Sequence, residues 1–212
     1  MPLQELTLKL DPSVMPERVS DLIDEADKRD AAFYSAGLGK KYSRYVPSDP
    51  TVAHAAIAYL KQEKMLRGNM FCEWGCGFGV AASIAAMLGF ESYGIEFVPE
   101  LADLASQLAE DFELKVEILN IDYLPDGFDD CEGVGGKDLV PPDPPADPDA
   151  FVPHPEYDGL DPSEVDLFYV FPWPGEERLM MDLFEAVATE GSILLIYMGD
   201  GELGAFIKDE DL

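Results

Sequence analysis

The chain has 212 residues, of which 47% are hydrophobic, and it carries 43 acids against 14 bases for a net charge of −29. This length and composition suit one domain with a substantial core. No apolar run is long enough to cross a membrane, and the first residues lack the pattern of a secretory signal. The charge disfavours nucleic acid, whose binding depends on Lys and Arg at the phosphates. It favours a basic protein, an amine or a cationic ligand.

The cysteines and histidines indicate neither a metal site nor a catalytic base. Cys72, Cys76 and Cys131 include no Cys-x-x-Cys pair, which is typical of reduced thiols in a cytoplasmic protein. His54 lies within a predicted helix and His154 within a predicted loop, so we expect packing or surface roles for both. The sequence therefore leaves the catalytic residues unidentified, predicts no metal, and does not indicate the oligomeric state.

The first 66 residues are predicted to form a helical cap. Residues 16–34 have apolar side chains at helical spacing. A basic patch follows at residues 40–44, the only one in the chain. Asp49-Pro50 then predicts a helix start, with an acid as N-cap and proline in the first turn. We expect the two helices to pack beside a sheet and over a ligand.

A glycine-rich loop follows the first predicted strand, residues 69–72. It reads Glu73-Trp74-Gly75-Cys76-Gly77-Phe78-Gly79, and helical spacing follows over residues 80–88. Alternating glycines at a strand-to-helix junction are typical of nucleotide-type ligands. A dinucleotide fingerprint fails here, because Val80 stands where the third glycine should be and Glu73 would repel a pyrophosphate. An acid at this junction favours a cation, such as the sulfonium of S-adenosylmethionine, over NAD.

The next two predicted strands also end in acids. Residues 92–96 end in Glu96, which is placed to accept the hydroxyls of a ribose. Pro99 predicts the start of a helix. Residues 115–120 form the following strand, and Asp122 and Tyr123 after it suit an adenine amino group and ring.

Residues 125–165 are predicted to be an acidic insertion. The segment is rich in prolines and acids, and Lys137 is its only base. The prolines among residues 141–145 prevent this stretch from lying inside a strand or a helix. These features predict an extended and mobile segment. It is either a solvated connector or a lid or docking arm for a basic substrate.

The last third of the chain predicts two more strands and a helix. A buried strand over residues 166–171 ends in Phe171-Pro172-Trp173-Pro174, and residues 193–197 form a fifth strand. Phe171 and Trp173 are placed to hold an ammonium group by cation–π attraction; the alternative for Trp173 is a place in the core. Glu176 lies at the start of the helix between these two strands. Attraction between an acid and the positive end of the helix dipole would by itself explain a glutamate at this position.

These motifs resemble class I S-adenosylmethionine-dependent methyltransferases over roughly residues 42–200. The loop at residues 45–48 is similar to one that folds over the cofactor in the non-SET protein-lysine methyltransferase subgroup. The resemblance implies a doubly wound, Rossmann-like and mostly parallel sheet in a single domain, with residues 67–124 as the cofactor half and 166–212 as the acceptor half. About a dozen residues follow the fifth strand, so we expect the sheet either to lack the family's last two strands or to have them compensated by the N-terminal helices.

The resemblance also implies the binding residues. The predicted cofactor-binding residues are Tyr45, Glu73, Gly75, Cys76, Gly77, Gly79, Glu96, Phe97, Asp122, Tyr123 and Phe171. The predicted acceptor-binding residues are Phe171, Pro172, Trp173 and Glu176. The expected function is methyl transfer from S-adenosylmethionine to an unidentified acceptor, cationic or amine-bearing. Two alternatives stay open, an aminopropyltransferase that uses decarboxylated S-adenosylmethionine and a non-catalytic protein that binds the cofactor or a partner.

Overall fold

The computed structural model describes residues 3–124, 129–133, 136–140 and 157–209. Between residues 70 and 119, and again between residues 167 and 199, strands and helices alternate as the sequence predicts. The helices are α1 (Glu17–Ser35), α2 (Leu38–Lys41), α3 (Pro50–Gln62), α4 (Val80–Met87), α5 (Pro99–Asp111) and α6 (Glu177–Val187). The strands are β1 (Leu3–Glu5), β2 (Met70–Trp74), β3 (Glu91–Ile95), β4 (Val116–Leu119), β5 (Asp129–Gly133), β6 (Gly136–Val140), β7 (Leu167–Val170), β8 (Ile193–Gly199) and β9 (Glu202–Lys208).

The main sheet has seven strands in the order β1-β9-β8-β7-β2-β3-β4. The five strands from β8 to β4 are mutually parallel, and β9 runs antiparallel to both β8 and β1. From β2 the chain first builds outward through β3 and β4, and it later returns to place β7 and β8 on the other side of β2. The order therefore reverses between β2 and β7, and ligands of open α/β sheets bind at such a switch point, outside the carboxyl ends of the strands.

The sheet is not shortened, so the expectation that it lacks its last two strands, or that helices compensate for them, is wrong. Asp200 and Gly201 both have positive φ, of 51° and 81°, and they form a two-residue turn between β8 and β9. This turn needs few residues, so one full strand fits into the C-terminal segment. The N-terminal residues supply the other strand, with Leu3 paired to Lys208.

Part of the predicted insertion has regular structure. β5 and β6 form an antiparallel hairpin, which the sequence reading did not predict. At the other end, Tyr157, Leu160 and Val165 are buried in the core, because Asp158 and Gly159 make a tight turn that brings the first two together. The proline run at 141–145 and His154 lie outside the described residues, and so does the expectation of an extended, mobile connector there.

Two apolar layers cover the two faces of the sheet. α1, α3 and α4 pack on one face, around Leu22, Ile57 and Ile84. α6 and the segment 157–165 pack on the other, around Phe168 and Phe184. The predicted helix start at residue 49 is confirmed, because the Asp49 carboxylate accepts a hydrogen bond from the Thr51 N–H at 2.8 Å. No helix in the described ranges combines the length and apolar character needed to span a membrane.

Candidate functional site

A cavity of about 760 Å³ opens at the carboxyl ends of β2, β3, β4 and β7. Its volume is typical of sites for small molecules. Thirteen of the fourteen predicted binding residues line it, and Gly79 is the exception. Those that do are Tyr45, Glu73, Gly75, Cys76, Gly77, Glu96, Phe97, Asp122, Tyr123, Phe171, Pro172, Trp173 and Glu176.

The three glycines of the loop after β2 have different surroundings. All three have positive φ, of 66° at Gly75, 53° at Gly77 and 66° at Gly79. A Cβ at Gly75 would meet no atom within 4 Å, whereas one at Gly77 would lie 2.6 Å from the Tyr45 ring. At Gly79 it would lie 3.1 Å from the Cβ of Ala105 in α5. Gly75 therefore leaves its backbone accessible from the cavity, Gly77 admits the aromatic ring above it, and Gly79 caps α4 and packs against a neighbouring helix.

Glu73 is buried beside the start of α4. One carboxylate oxygen accepts the N–H of Ala82 at 2.8 Å. Burial raises the pKa of Glu73 to about 8, the nearby charge of Glu96 adds to the shift, and the bond from Ala82 opposes it. Near neutral pH the group is therefore protonated in much of the population, unless a cation lies close to it.

Glu96 is fixed by backbone donors at the end of β3. Its two carboxylate oxygens accept the N–H of Gly77 and that of Val98, each at 2.9 Å. Burial raises the pKa of Glu96, and these backbone bonds partly offset the shift. The side chain of Asn120 donates to the carbonyl oxygen of Glu96 at 2.7 Å. The carboxylate is thus held rigidly at the cavity wall, with lone pairs left for a ligand.

Asp122 and Tyr123 lie on the loop after β4. Asp122 accepts the N–H of Leu124 at 3.0 Å, and the hydroxyl of Tyr157 donates to the carbonyl of Tyr123 at 2.8 Å. Burial raises the pKa of Tyr123 to about 12, with contributions from the negative charges of Glu176 and Asp122. Tyr123 therefore stays protonated and keeps a hydroxyl donor in the cavity.

The loop after β7 forms the opposite side of the cavity. The Phe171 ring packs edge-to-face on Tyr197, with centroids 4.9 Å apart. Trp173 is 40% exposed, which rules out the alternative that it belongs to the core. The Arg44 guanidinium carbon lies 5.6 Å from the centre of the Trp173 ring, and its Nη2 is 2.6 Å from a Glu176 carboxylate oxygen.

The N-terminal segment contributes more of the wall than the sequence reading assigned to it. The loop residues 41–48 line the cavity, as do Asp27 and Asp30 of α1. One oxygen of Asp30 is buried and has no hydrogen-bond partner among the described residues. Asp30 interacts with the Tyr45 hydroxyl, and burial next to this acid raises the pKa of Tyr45 above its usual range. The sequence gives no local signal for this role, because only the packing of α1 brings its polar face to the cavity.

The ionisable side chains of the cavity are mostly acidic. Among the described residues that line it, the six acids are Asp27, Asp30, Glu73, Glu96, Asp122 and Glu176, and the two bases are Lys41 and Arg44. Both bases are already paired, Lys41 with Glu100 and Arg44 with Glu176. A ligand that brings positive charge would therefore be favoured over one that brings phosphate.

Of the two histidines, His54 lies within the described ranges, and it does not line the cavity. His54 is buried in α3 away from the cavity, and burial lowers its pKa. Within the described ranges, no group of three or more His, Cys, Asp or Glu side chains is arranged to hold a metal ion.

Comparisons with solved structures confirm the fold class. An RNA methyltransferase from Salinibacter ruber, crystallised with S-adenosyl-L-homocysteine, shares 15% identity with a TM-score of 0.51, over 79% of this chain and 96% of that protein. A hypothetical protein of Thermus thermophilus shares 14% identity with a TM-score of 0.50, over 78% of this chain and 89% of that one. Comparisons with protein-family models and with curated protein sequences gave no match. The chain therefore has a Rossmann-like fold of the class I methyltransferase type.

Proposed function

We propose that this chain is an S-adenosylmethionine-dependent methyltransferase whose acceptor is cationic or amine-bearing. The observation that carries the proposal is the cavity at the switch point of the sheet, lined by the loop at Gly75 and by the anchored carboxylate of Glu96. The Salinibacter ruber protein, which has the same fold, was crystallised with the demethylated form of this cofactor.

The residues present suit this cofactor. Glu96 would accept the ribose hydroxyls, and Asp122 and Tyr123 would contact the adenine. The unpartnered oxygen of Asp30 lies near Tyr45, where it would attract a positively charged amino-acid end, and such a cation would favour the ionised form of Glu73. When bound, the cofactor supplies a methyl group activated by a sulfonium. The protein's part is to align the acceptor and exclude water, which accounts for roughly 7–11 kcal/mol in well-oriented reactions.

The acid-rich lining disfavours dinucleotides. NAD would bring two phosphates into a cavity with six acids and two paired bases. The same lining suits decarboxylated S-adenosylmethionine, so an aminopropyltransferase is the second candidate function. A direct comparison of the two cofactors in binding distinguishes them.

The acceptor is proposed to bind at Phe171, Pro172, Trp173 and Glu176. The cavity lining and the chain's net charge of −29 both favour a cationic group there. The similar protein from Salinibacter ruber acts on RNA, but an RNA acceptor would have to approach this chain against its charge.

Calorimetry with S-adenosylmethionine, its demethylated product, its decarboxylated form and NAD tests the proposal. We expect the first two to bind and NAD not to bind, and we expect Glu96→Ala to weaken binding by at least about tenfold. Glu110→Ala is the matched control, because it removes an exposed acid of α5 that does not line the cavity.

Equal affinity in Glu96→Ala and Glu110→Ala would contradict the ribose contact. Binding of the decarboxylated cofactor alone would favour the aminopropyltransferase. Cofactor binding without turnover on any amine or basic protein would favour a non-catalytic role.

A further inference from the structure

A buried acid and an exposed indole meet at one corner of the cavity. Glu176 lies at the start of α6, and Trp173 precedes it by three residues on the same loop. Tyr123 lies close enough for the charges of Glu176 and Arg44 to act on its pKa. We call Trp173, Glu176 and Tyr123 the indole–acid corner.

The cation that occupies this corner comes from a distant part of the chain. Arg44 is 132 residues away in sequence from Glu176, on the loop that leads into α3. Its guanidinium donates to the Glu176 carboxylate at 2.6 Å and lies over the Trp173 ring. Among the described residues, no other group forms an ion pair with that carboxylate.

The two partners are exposed to very different degrees. The Glu176 side chain is 10% exposed, whereas the Arg44 side chain is 66% exposed. A carboxylate buried to this degree strongly favours a cation beside it. An exposed arginine on a loop can leave for water with little loss, because water solvates its charge well. The acid is therefore the fixed part of the pair and the arginine is the replaceable part.

We propose that the indole–acid corner is a binding subsite for a guanidinium group of the acceptor, and that Arg44 is a tethered occupant which the acceptor displaces. The inference rests on the proposed function, because it assigns a substrate class to the same cavity. The acceptor is then an arginine side chain or another guanidino compound, and Arg44 sets the affinity threshold it must exceed.

A guanidinium suits this corner better than an ammonium. Its plane can stack on an indole while its edge donates hydrogen bonds to a carboxylate. An ammonium is more strongly hydrated and has no flat face to stack. Pro172 and Pro174 flank Trp173 and restrict the backbone on both sides of it. The corner thus offers an indole face and a hydrogen-bond acceptor, and Arg44 already contacts both.

Titration calorimetry with ethylguanidinium tests the inference. We expect Arg44→Ala to bind this probe at least about tenfold more tightly than the unmodified chain, because the internal competitor is gone. Butylammonium should bind Arg44→Ala more weakly than ethylguanidinium does. In the double variant Arg44→Ala/Glu176→Gln the gain should disappear. Arg44→Gln repeats the test with a side chain that fills more of the space, in case the alanine variant folds poorly.

Lys41→Ala is the matched control, because it removes the same charge from the same cavity but from a pair with Glu100. An equal gain in Lys41→Ala would mean that overall charge, not the corner, controls binding, and it would overturn the inference. Equal binding by the Arg44 variants and the unmodified chain, or an undiminished gain in the double variant, would also overturn it. Tighter binding of butylammonium would overturn the choice of guanidinium.

A parallel titration with S-adenosylmethionine separates this inference from the proposed function. Cofactor binding without the guanidinium gain overturns the indole–acid corner and leaves the methyltransferase proposal standing. The guanidinium gain without cofactor binding supports the corner and contradicts the methyltransferase proposal.

Discussion

The fold raises the pKa of Glu73 into a pH range that solution measurements can reach. An ordinary glutamate is ionised above pH 5, but burial raises the pKa of Glu73 to about 8. The folded chain therefore holds a proton on this side chain that the unfolded chain releases at lower pH. The stabilising contribution of that protonated group is complete below the unfolded pKa of about 4.5. It is lost progressively as the pH rises towards 8.

This linkage predicts a difference between the unmodified chain and Glu73→Gln. Glutamine mimics the protonated acid, so the free energy of unfolding of the variant should lack this part of the pH dependence. Between pH 5 and 8, urea unfolding should show the unmodified chain losing stability relative to the variant, by an amount on the order of a few kcal/mol. A constant difference across that range would show that Glu73 is ionised in the folded chain.

At the residue scale, local sequence patterns are sufficient to identify the glycine-rich loop as part of the site. A strand that ends in an acid and runs into alternating glycines places Glu73, Gly75 and Gly77 at a cavity, and the structure puts all three there. The orientation of each glycine depends on what packs above it. Gly79 faces Ala105 instead of the cavity for that reason. Asp30 and Arg44 reach the site only through tertiary packing, which no local spacing predicts.

At the element scale, the apolar pattern predicted every helix except the short α2, because each of them buries one face. It also predicted the parallel strands, because their side chains are largely buried. The strands β1 and β9 were missed, because β1 pairs only with the far end of the chain and β9 depends on a tight turn after β8. β1 has only three residues and depends on β9 for its hydrogen bonds. The Asp-Gly pairs at 158–159 and 200–201 are the sequence signals for the two tight turns, since two-residue turns with positive φ favour this dipeptide.

The β8–β9 turn yields a prediction about stability. Gly201→Val would place a β-branched residue at φ 81°, which costs at least about 1–2 kcal/mol. We expect thermal and urea unfolding to show this loss, because the β8–β9 hairpin also supports β1 at the edge. Glu202→Val is the matched control, since it places the same side chain at the next position, which is exposed and lies within a strand. Equal stability of the two variants would contradict the importance of the turn.

At the scale of the whole molecule, negative charge dominates. The excess of 43 acids over 14 bases extends into the cavity, where the bases are paired internally. Even the basic patch at residues 40–44 is partly neutralised, because Lys41 contacts Glu100 and Arg44 contacts Glu176. The long-range field and the local site therefore favour the same sign of ligand, a cation.

This charge distribution predicts that the chain does not bind nucleic acid. The test is fluorescence anisotropy with labelled RNA and DNA at about 0.01 M ionic strength, where the screening length is about 30 Å and charge effects are strongest. We expect no saturable binding of either polyanion. A labelled oligo-arginine peptide should bind under the same conditions, and its affinity should fall as salt is added, because the attraction is between exposed charges.

The decisive comparison uses the basic patch at residues 40–44. If RNA binds saturably and Lys40→Ala/Lys41→Ala/Arg44→Ala abolishes it, the basic patch outweighs the field of the whole chain. An RNA acceptor then becomes the better proposal. If RNA does not bind while the peptide does, the negative charge of the whole chain controls binding. Removing Arg44 alone should then strengthen peptide binding, because the same substitution frees the Glu176 carboxylate for a guanidinium from outside.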